Sequence, residues 1–168
     1  MQQFVYISGN TNISQFELSL EFPARQVFQV VLYDSSYRKN ELYNISIPVN
    51  HFEANNKLIY NDFITLLKTD QYPDIIIKIP YAHLLNVFSG MLCTKHMINI
   101  TIAGITNSYI IPGSASFCAG DKLYVTGIKN IRLTDFNLNP PEKLKGLIKV
   151  EDEVIIDFGF VFLVKKKS

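Results

Sequence analysis

Three histidines, two cysteines and a short run of carboxylates are the residues of this chain with chemistry to offer. The histidines are His51, His83 and His96. None has another histidine or a cysteine two to five residues further on, the spacing at which one local element delivers paired metal ligands. A metal site would have to gather its partners from distant strands, so no metal is expected. A Ser-His-Asp or Cys-His arrangement does not depend on sequence order. Still, no nucleophile stands in a G-x-S-x-G setting, and Ser89-Gly90 and Gly113-Ser114 read as turn punctuation. No glycine cluster opens a helix to cradle phosphate. Asp152, Glu153 and Asp157 lie close together; on a strand Glu153 and Asp157 share one face and Asp152 takes the other. A solvated outer face is the plain reading of that pattern, acid–base work the sharper one. Cys93 and Cys118 are a possible disulfide or two small buried hydrophobes. No catalytic residue and no cofactor are assigned on this evidence.

The elements that must position these groups centre on the last stretch, Glu153 to Val164, E-V-I-I-D-F-G-F-V-F-L-V. Val154, Ile156, Phe158, Phe160, Phe162 and Val164 share one parity, so the stretch is a long strand with one dry, aromatic face. A helix would place apolar residues on every side and bury Asp157 and Gly159 mid-helix among poor helix formers. A strand of this kind needs a concave apolar interior to face. The stripe Phe158, Phe160, Phe162 either fills that interior or lines a cavity within it.

Earlier in the chain, Phe16, Leu18, Leu20 and Phe22 alternate cleanly with polar residues and predict a half-buried strand. Val27 to Tyr33 is apolar on both faces and does not orient itself. A loop is expected over Asp34 to Asn40. Leu42 to Val49 reads as a strand with Tyr43, Ile45, Ile47 and Val49 on one face. A helix of about three turns is expected around 57–68. It would be capped by Asn55 or Asn56, carry Ile59, Phe63, Leu66 and Leu67 as its apolar stripe, hold Lys68 in its last turn, and be stopped by Pro73. Strands then return over Ile75–Ile79, Leu84–Leu92, Met97–Ala103 and Ile105–Ile111, a further strand follows Pro112-Gly113 and reaches Phe117, and another covers Leu123–Leu133, with a loop from Thr134 to Gly146. About nine strand segments, one helix and no βαβ alternation predict an antiparallel sheet. The fold class is all-β: one antiparallel, lipocalin-like barrel of about eight strands with one short helix at one end, a single domain over 1–168.

The totals agree. With 168 residues at 48% hydrophobic, the chain has the length of one domain and the means to bury a core. Sixteen basic against fifteen acidic side chains give a net charge of +1, without the basic stripe of a nucleic-acid binder. Lys165-Lys166-Lys167 reads as a solvated end that stops further strand pairing, or as a docking patch. No apolar run reaches the roughly 18 residues of a membrane helix, and Met1-Gln2-Gln3 opens directly into a strand rather than a leader, which leaves a cytosolic protein or a mature form whose leader has been removed.

Several stretches together resemble the YceI-like family of lipocalin-fold, polyisoprenoid-binding bacterial proteins. The first is Ser8-Gly9-Asn10-Thr11-Asn12-Ile13-Ser14-Gln15-Phe16. The second runs from Ile47-Pro48-Val49 and Phe52 through Asn61-Asp62-Phe63 and Leu66-Leu67-Lys68 to Gln71-Tyr72-Pro73-Asp74-Ile75. The third is Ile100-Thr101-Ile102-Ala103-Gly104-Ile105-Thr106, with Asn107 where a lysine is usual. The last is Leu133-Thr134-Asp135-Phe136-Asn137-Leu138 with Pro140-Pro141, running into Leu147 to Val154 and the final strand. The match covers nearly the whole chain in family order and is most similar to members from Bacteroidetes-type bacteria. The opening segment lacks the histidine many relatives carry, and Ala54 stands near a position where some have cysteine.

The resemblance implies a barrel that holds a long isoprenoid, isoprenoid quinone or fatty-acid-like chain for transport, storage or sequestration. It implies no catalysis, no metal and no nucleic acid, allows a homodimer, and implies a periplasmic or secreted protein whose leader has been removed. Cavity candidates by position are Phe158, Phe160 and Phe162 of the last strand, Phe16 and Leu18 of the early strand, Phe63 and Leu67 of the helix, and Phe136 of the late loop. Two other readings stand beside this one: a barrel with a packed interior that binds partners on its surface, and an enzyme acting on a bound lipid.

Overall fold

The structure, a computed structural model, describes residues 1–33, 42–89, 95–118, 120–143 and 145–167. The expected loop over 34–40 and the thiol of Cys93 fall outside them. Strands β1 (Gln3–Thr11), β2 (Gln15–Phe22), β3 (Phe28–Tyr33), β4 (Leu42–Pro48) and β5 (Glu53–Ala54) come first, then helix α1 (Lys57–Leu66). They are followed by β6 (Asp74–Pro80), helix α2 (Tyr81–Phe88), β7 (Lys95–Ile102), β8 (Ile105–Phe117), β9 (Lys122–Arg132), β10 (Glu142–Lys143) and β11 (Ile148–Lys167). The sheet order is β4-β6-β7-β8-β9-β11-β1-β2-β5, with β3 and β10 paired to β11 beside that path. The sheet curls into a half-barrel, the expected all-β, lipocalin-like architecture.

Alternation builds the interior. One parity of each strand is buried: Val5 and Ile7, Leu18 and Leu20, Ile45 and Ile47, Ile98 to Ile102, and Val154 to Val164 along β11. These side chains form one continuous hydrophobic core, and burying each contributes roughly 1.5–3 kcal/mol. The turn Ala103-Gly104 between β7 and β8 has positive φ at both residues, 48° and 81°, the twist that lets a two-residue hairpin follow the strands.

β11 is the spine. Along one edge it pairs with β9 from Glu153 to Leu163, antiparallel. Its other edge is shared: β1 runs antiparallel to it as far as Gly159, and β3 runs parallel to it from Phe162 onward. The parallel pair departs from the uniformly antiparallel sheet expected. It also explains why Val27 to Tyr33 is apolar on both faces, as strands in parallel pairing usually are. Between the two partners, the N–H of Val161 would have none. The side chain of Gln3, 2% exposed, takes it: the Val161 N–H donates to Gln3 Oε1 at 2.7 Å, and Gln3 Nε2 donates to the Gln26 carbonyl.

α1 starts at the expected cap, the Leu58 N–H donating to Asn56 Oδ1 at 2.8 Å. Lys68 lies past the helix, not in its last turn. It takes φ +53°, with the Lys68 N–H bonding the Thr65 carbonyl and the Thr69 N–H the Ile64 carbonyl, the double bond of a Schellman stop. The larger correction is Leu84–Leu92, expected as a strand. Residues 81–88 form helix α2, in which Tyr81, Leu84 and Val87 recur every three residues and are all buried. Good helix formers at Ala82 and Leu84 support that spacing; 90–92 lie outside the described residues. Among the described residues there are therefore two α-helices rather than one, and eleven strand segments rather than about nine. Within the expected loop of 134–146, Leu133–Phe136 forms a short 3-10 turn and β10 a brief strand. Lys165 to Lys167 continue β11 and pair with Val31 to Tyr33, so the lysines do not end the pairing.

Candidate ligand cavity

β6 leads from the turn after α1 directly into α2 and spans roughly 20 Å at the usual strand rise. α1 lays Phe63 and Leu67 inward at its end, the Phe63 ring meeting Phe52 edge-on at 5.4 Å between centroids. At the α2 end lies a cavity of about 20 Å³, close to the room one water needs. Its floor is the last strand's aromatic stripe, Phe158, Phe160 and Phe162. β6 and β7 supply aliphatic walls through Ile77, Ile79 and Ile98, β9 adds Val125, and α2 closes it with Leu84 and Val87. Phe160 is 1% exposed and Phe162 0%, and the Phe160 ring meets those of Phe158 and Phe28 at 5.2 and 5.3 Å.

The eight candidate residues thus divide. Phe158, Phe160 and Phe162 come together on the cavity. Leu18 is buried in the core on β2, Phe16 covers the bare Cα of Gly9, Phe63 and Leu67 sit under α1, and Phe136 packs on Tyr109; none of these five lines the cavity.

Two residues that sequence spacing left apart do line it: His83 of α2 and His96 of β7. Their rings cross at 84°, and His83 Nε2 lies 3.3 Å from His96 Nδ1. His96 is 3% exposed, and its Nε2 lies against the backbone of β8 and β9, beside Gly113 and the Thr126 carbonyl. The Cδ2–Nε2 edge of the ring lies over Gly113, where a side chain would collide with it. Burial pushes both imidazoles below the usual histidine range. The proximity of His96 adds to this for His83, while the backbone of Thr126 and Ser114 pulls His96 the other way. Half of this pair was readable: His96 is in phase with Ile98, Ile100 and Ile102. Its companion was hidden by reading residues 84–92 as a strand.

The carboxylates serve the outside. Asp152 accepts from the Thr134 N–H and hydroxyl at 2.9 and 2.7 Å and so latches the 133–136 turn. Glu153 accepts from Asn130 Nδ2 at 2.7 Å, and Asp157 is raised by partial burial on the outer face. His51 is exposed. Cys118 is a free thiol. Among the described residues no group of three metal-ligating side chains gathers, and no helix is long and apolar enough to cross a membrane. Among the described residues, the cavity lining holds no carboxylate, thiol or hydroxyl beside the two imidazoles.

No family model matches the chain, and no curated protein does. Solved structures do. BcnA from Burkholderia cenocepacia is similar over 95% of both chains, at 18% identity and a TM-score of 0.62. A polyisoprenoid binding domain from Saccharophagus degradans, implicated in plant cell wall breakdown, is similar over 95% of this chain and 92% of that one, at 13% identity and 0.63. The YceI protein of Campylobacter jejuni is similar over 72% and 71%, at 14% identity and 0.53. At such identities the likeness speaks for the architecture: this chain folds as BcnA, the polyisoprenoid binding domain and YceI fold.

Proposed function

We propose that this is a YceI-like protein, one barrel domain over 1–168, that binds a long apolar or amphiphilic chain in its interior without converting it. A polyisoprenoid, an isoprenoid quinone or a fatty-acid-like chain fits the description, held for transport, storage or sequestration. The observation that carries this is the wall of Phe158, Phe160 and Phe162 facing a void beneath α2. Likeness to a domain named for polyisoprenoid binding supports it, as do the family-like motifs along the chain. A hydrocarbon chain needs no polar motif, since apolar area contributes about 25 cal/mol per Å² buried. Pockets for such ligands occupy roughly 300–1,000 Å³, so the chain enters by displacing α2, which supplies one wall of the void. The same resemblance supports a periplasmic or secreted location.

One observation favours a second reading. The void holds about 20 Å³ and the phenylalanines are fully buried, as in a filled barrel that works through its outer surface. One experiment separates the two. The purified protein is extracted into organic solvent for mass spectrometry, and the stripped protein is offered a prenyl quinone in detergent. Lipid binding expects a long-chain species in the extract or stoichiometric uptake. Neither being found establishes the filled barrel.

A further inference from the structure

We propose that the end of the barrel where the β1–β2 and β10–β11 hairpins turn docks on an anionic lipid bilayer, with Ile13, Leu58 and Leu147 entering between the head groups and the lysines beside them meeting lipid phosphates. The inference goes beyond the interior-chain reading: it concerns the outside of the protein and uses none of the cavity residues.

Apart from the terminal Met1, these three are the most exposed large apolar side chains among the described residues, at 68%, 68% and 72%. They lie far apart in the sequence, and polar contacts bring them to one end, where Thr11 of β1 is the register partner of Val150 in β11. Asn12, next to Ile13, braces the two hairpin tips. Its N–H donates to the Lys149 carbonyl at 3.0 Å, its Nδ2 donates to the Leu147 carbonyl at 2.9 Å, and its Oδ1 accepts from the Lys149 N–H at 2.9 Å. The N–H groups of Ile13 and Ser14 donate in turn to Thr11 Oγ1 at 3.2 and 2.9 Å. α1 joins the group through Lys143, whose Nζ lies 2.6 Å from Asp62 Oδ1. Leu58 stands one turn before Asp62 on the same face of the helix. The bracing holds hydrocarbon out in water, where it is unfavourable.

Charge sets the occupant. Lys145 and Lys149 flank Leu147 in the sequence, two residues to either side, and Lys57 precedes Leu58. All three lysines are exposed. Lys143 is paired with Asp62, and Lys149 loosely with Glu142 at 3.6 Å; among the described residues Lys57 and Lys145 have no ion-pair partner. Four lysines thus stand against Glu142, Asp62 and, further along β11, Glu151, in a chain whose net charge is only +1. Lysines interleaved with exposed aliphatics suit a surface that lies on anionic lipid, where each basic residue adds attraction and apolar side chains enter the head-group region singly. A protein partner fits less well. Three aliphatic side chains on separate elements offer well short of the roughly 800 Å² per partner that a stable protein interface buries. None of the residues named is an aromatic or arginine anchor.

The test is co-sedimentation of the full-length protein with vesicles of phosphatidylcholine alone and of phosphatidylcholine with about one-third phosphatidylglycerol, at low and high salt. The anionic vesicles should bind at least about tenfold more tightly than the neutral ones, and salt should weaken that binding. Ile13→Ser and Leu147→Ser should each lower it about fivefold, as should Lys145→Gln, and the triple variant Ile13→Ser, Leu58→Ser, Leu147→Ser should abolish it. Ile110→Ser changes an exposed residue on the outer face of β8; it serves as the control and should leave binding unaltered. Thermal unfolding checks that every variant is folded. Amide exchange of the unmodified protein gives a readout independent of any variant: anionic vesicles should protect residues 12–14 and 145–149. Equal or absent binding to the two vesicles overturns the docking surface, as does binding that survives in the triple variant, an equal loss in Ile110→Ser, or protection confined to other residues. Self-association that the triple variant abolishes, without vesicle binding, assigns these residues to an interface between copies and overturns it too. Uptake of a prenyl quinone from detergent involves no bilayer, so failure of the chain-binding reading and failure of the docking surface are read separately.

Discussion

The ring of Phe158 lies over the bare Cα of Gly127, its cross-strand partner in β9. A Cβ on Gly127 would come within 2.6 Å of Phe158 Cζ and 2.9 Å of Ile111 Cγ2. Gly127 in turn is the register partner of Gly113 in β8. Two facing glycines thus leave two vacancies on the inner wall, one filled by Phe158 and the other by His96.

Gly127→Ala should therefore destabilise the fold by overpacking, by about 1–3 kcal/mol. Phe158→Ala should cost about 3–5 kcal/mol through the cavity it leaves. In the Phe158→Ala background the added methyl has room, so the penalty of Gly127→Ala should shrink markedly. Urea unfolding of the two single variants and the double variant measures this; additive penalties would show that the ring and the glycine do not share space.

Gln3→Leu should strand the Val161 N–H and the Gln26 carbonyl, each costing about 1–3 kcal/mol. The loss should be local. Amide exchange should quicken from Phe162 to Val164, where β3 joins, before it quickens from Val154 to Gly159, where β1 holds the strand. Uniform acceleration would mean that Gln3 does not govern the junction.

Lys68→Gly should stabilise the protein, by about 0.5–1 kcal/mol. Lysine at φ +53° occupies left-handed space, which glycine takes without a Cβ penalty. A raised midpoint in thermal unfolding confirms it; an unchanged or lowered midpoint shows that the lysine side chain contributes more than its backbone costs.

Acid should weaken the fold through the imidazole pair. Both histidines titrate below their unfolded value near 6.5, so below that pH the unfolded chain binds more protons than the folded one. The stability they contribute is complete above pH ~6.5 and is lost as pH falls through their lower folded values. The melting temperature should drop over that interval, and His96→Leu should flatten the profile because one buried site no longer resists its proton. An equally steep profile in the variant would place the acid sensitivity elsewhere.

Period-two alternation made most of the sheet readable from residues alone: the apolar parities of β2, β4, β7 and β11 are the buried ones in the structure. Helix α1 was legible because Asn56 and Pro73 bracket a four-residue stripe. One miss was local: the nearly continuous apolar run Leu84-Leu85-Asn86-Val87-Phe88 masked the three-residue spacing of Tyr81, Leu84 and Val87. The rest of what escaped was non-local. The parallel partner of β3 lies more than a hundred residues away along the chain, and the doubly apolar face of Val27 to Tyr33 was its trace. Three of the cavity residues, Phe158, Phe160 and Phe162, follow from the last strand's parity. The histidine pair does not, because α2 has to form before His83 can reach His96.

The place of β11 between β9 and β1 has a bearing on how the molecule comes into being. Until those final residues leave the ribosome, the sheet exists as two unjoined fragments, β4-β6-β7-β8-β9 and β1-β2-β5, each with an open flank. Cooperative assembly must wait for synthesis to pass β11, and a nascent chain stalled before it is exposed to aggregation and to whichever chaperone shields unfinished sheets.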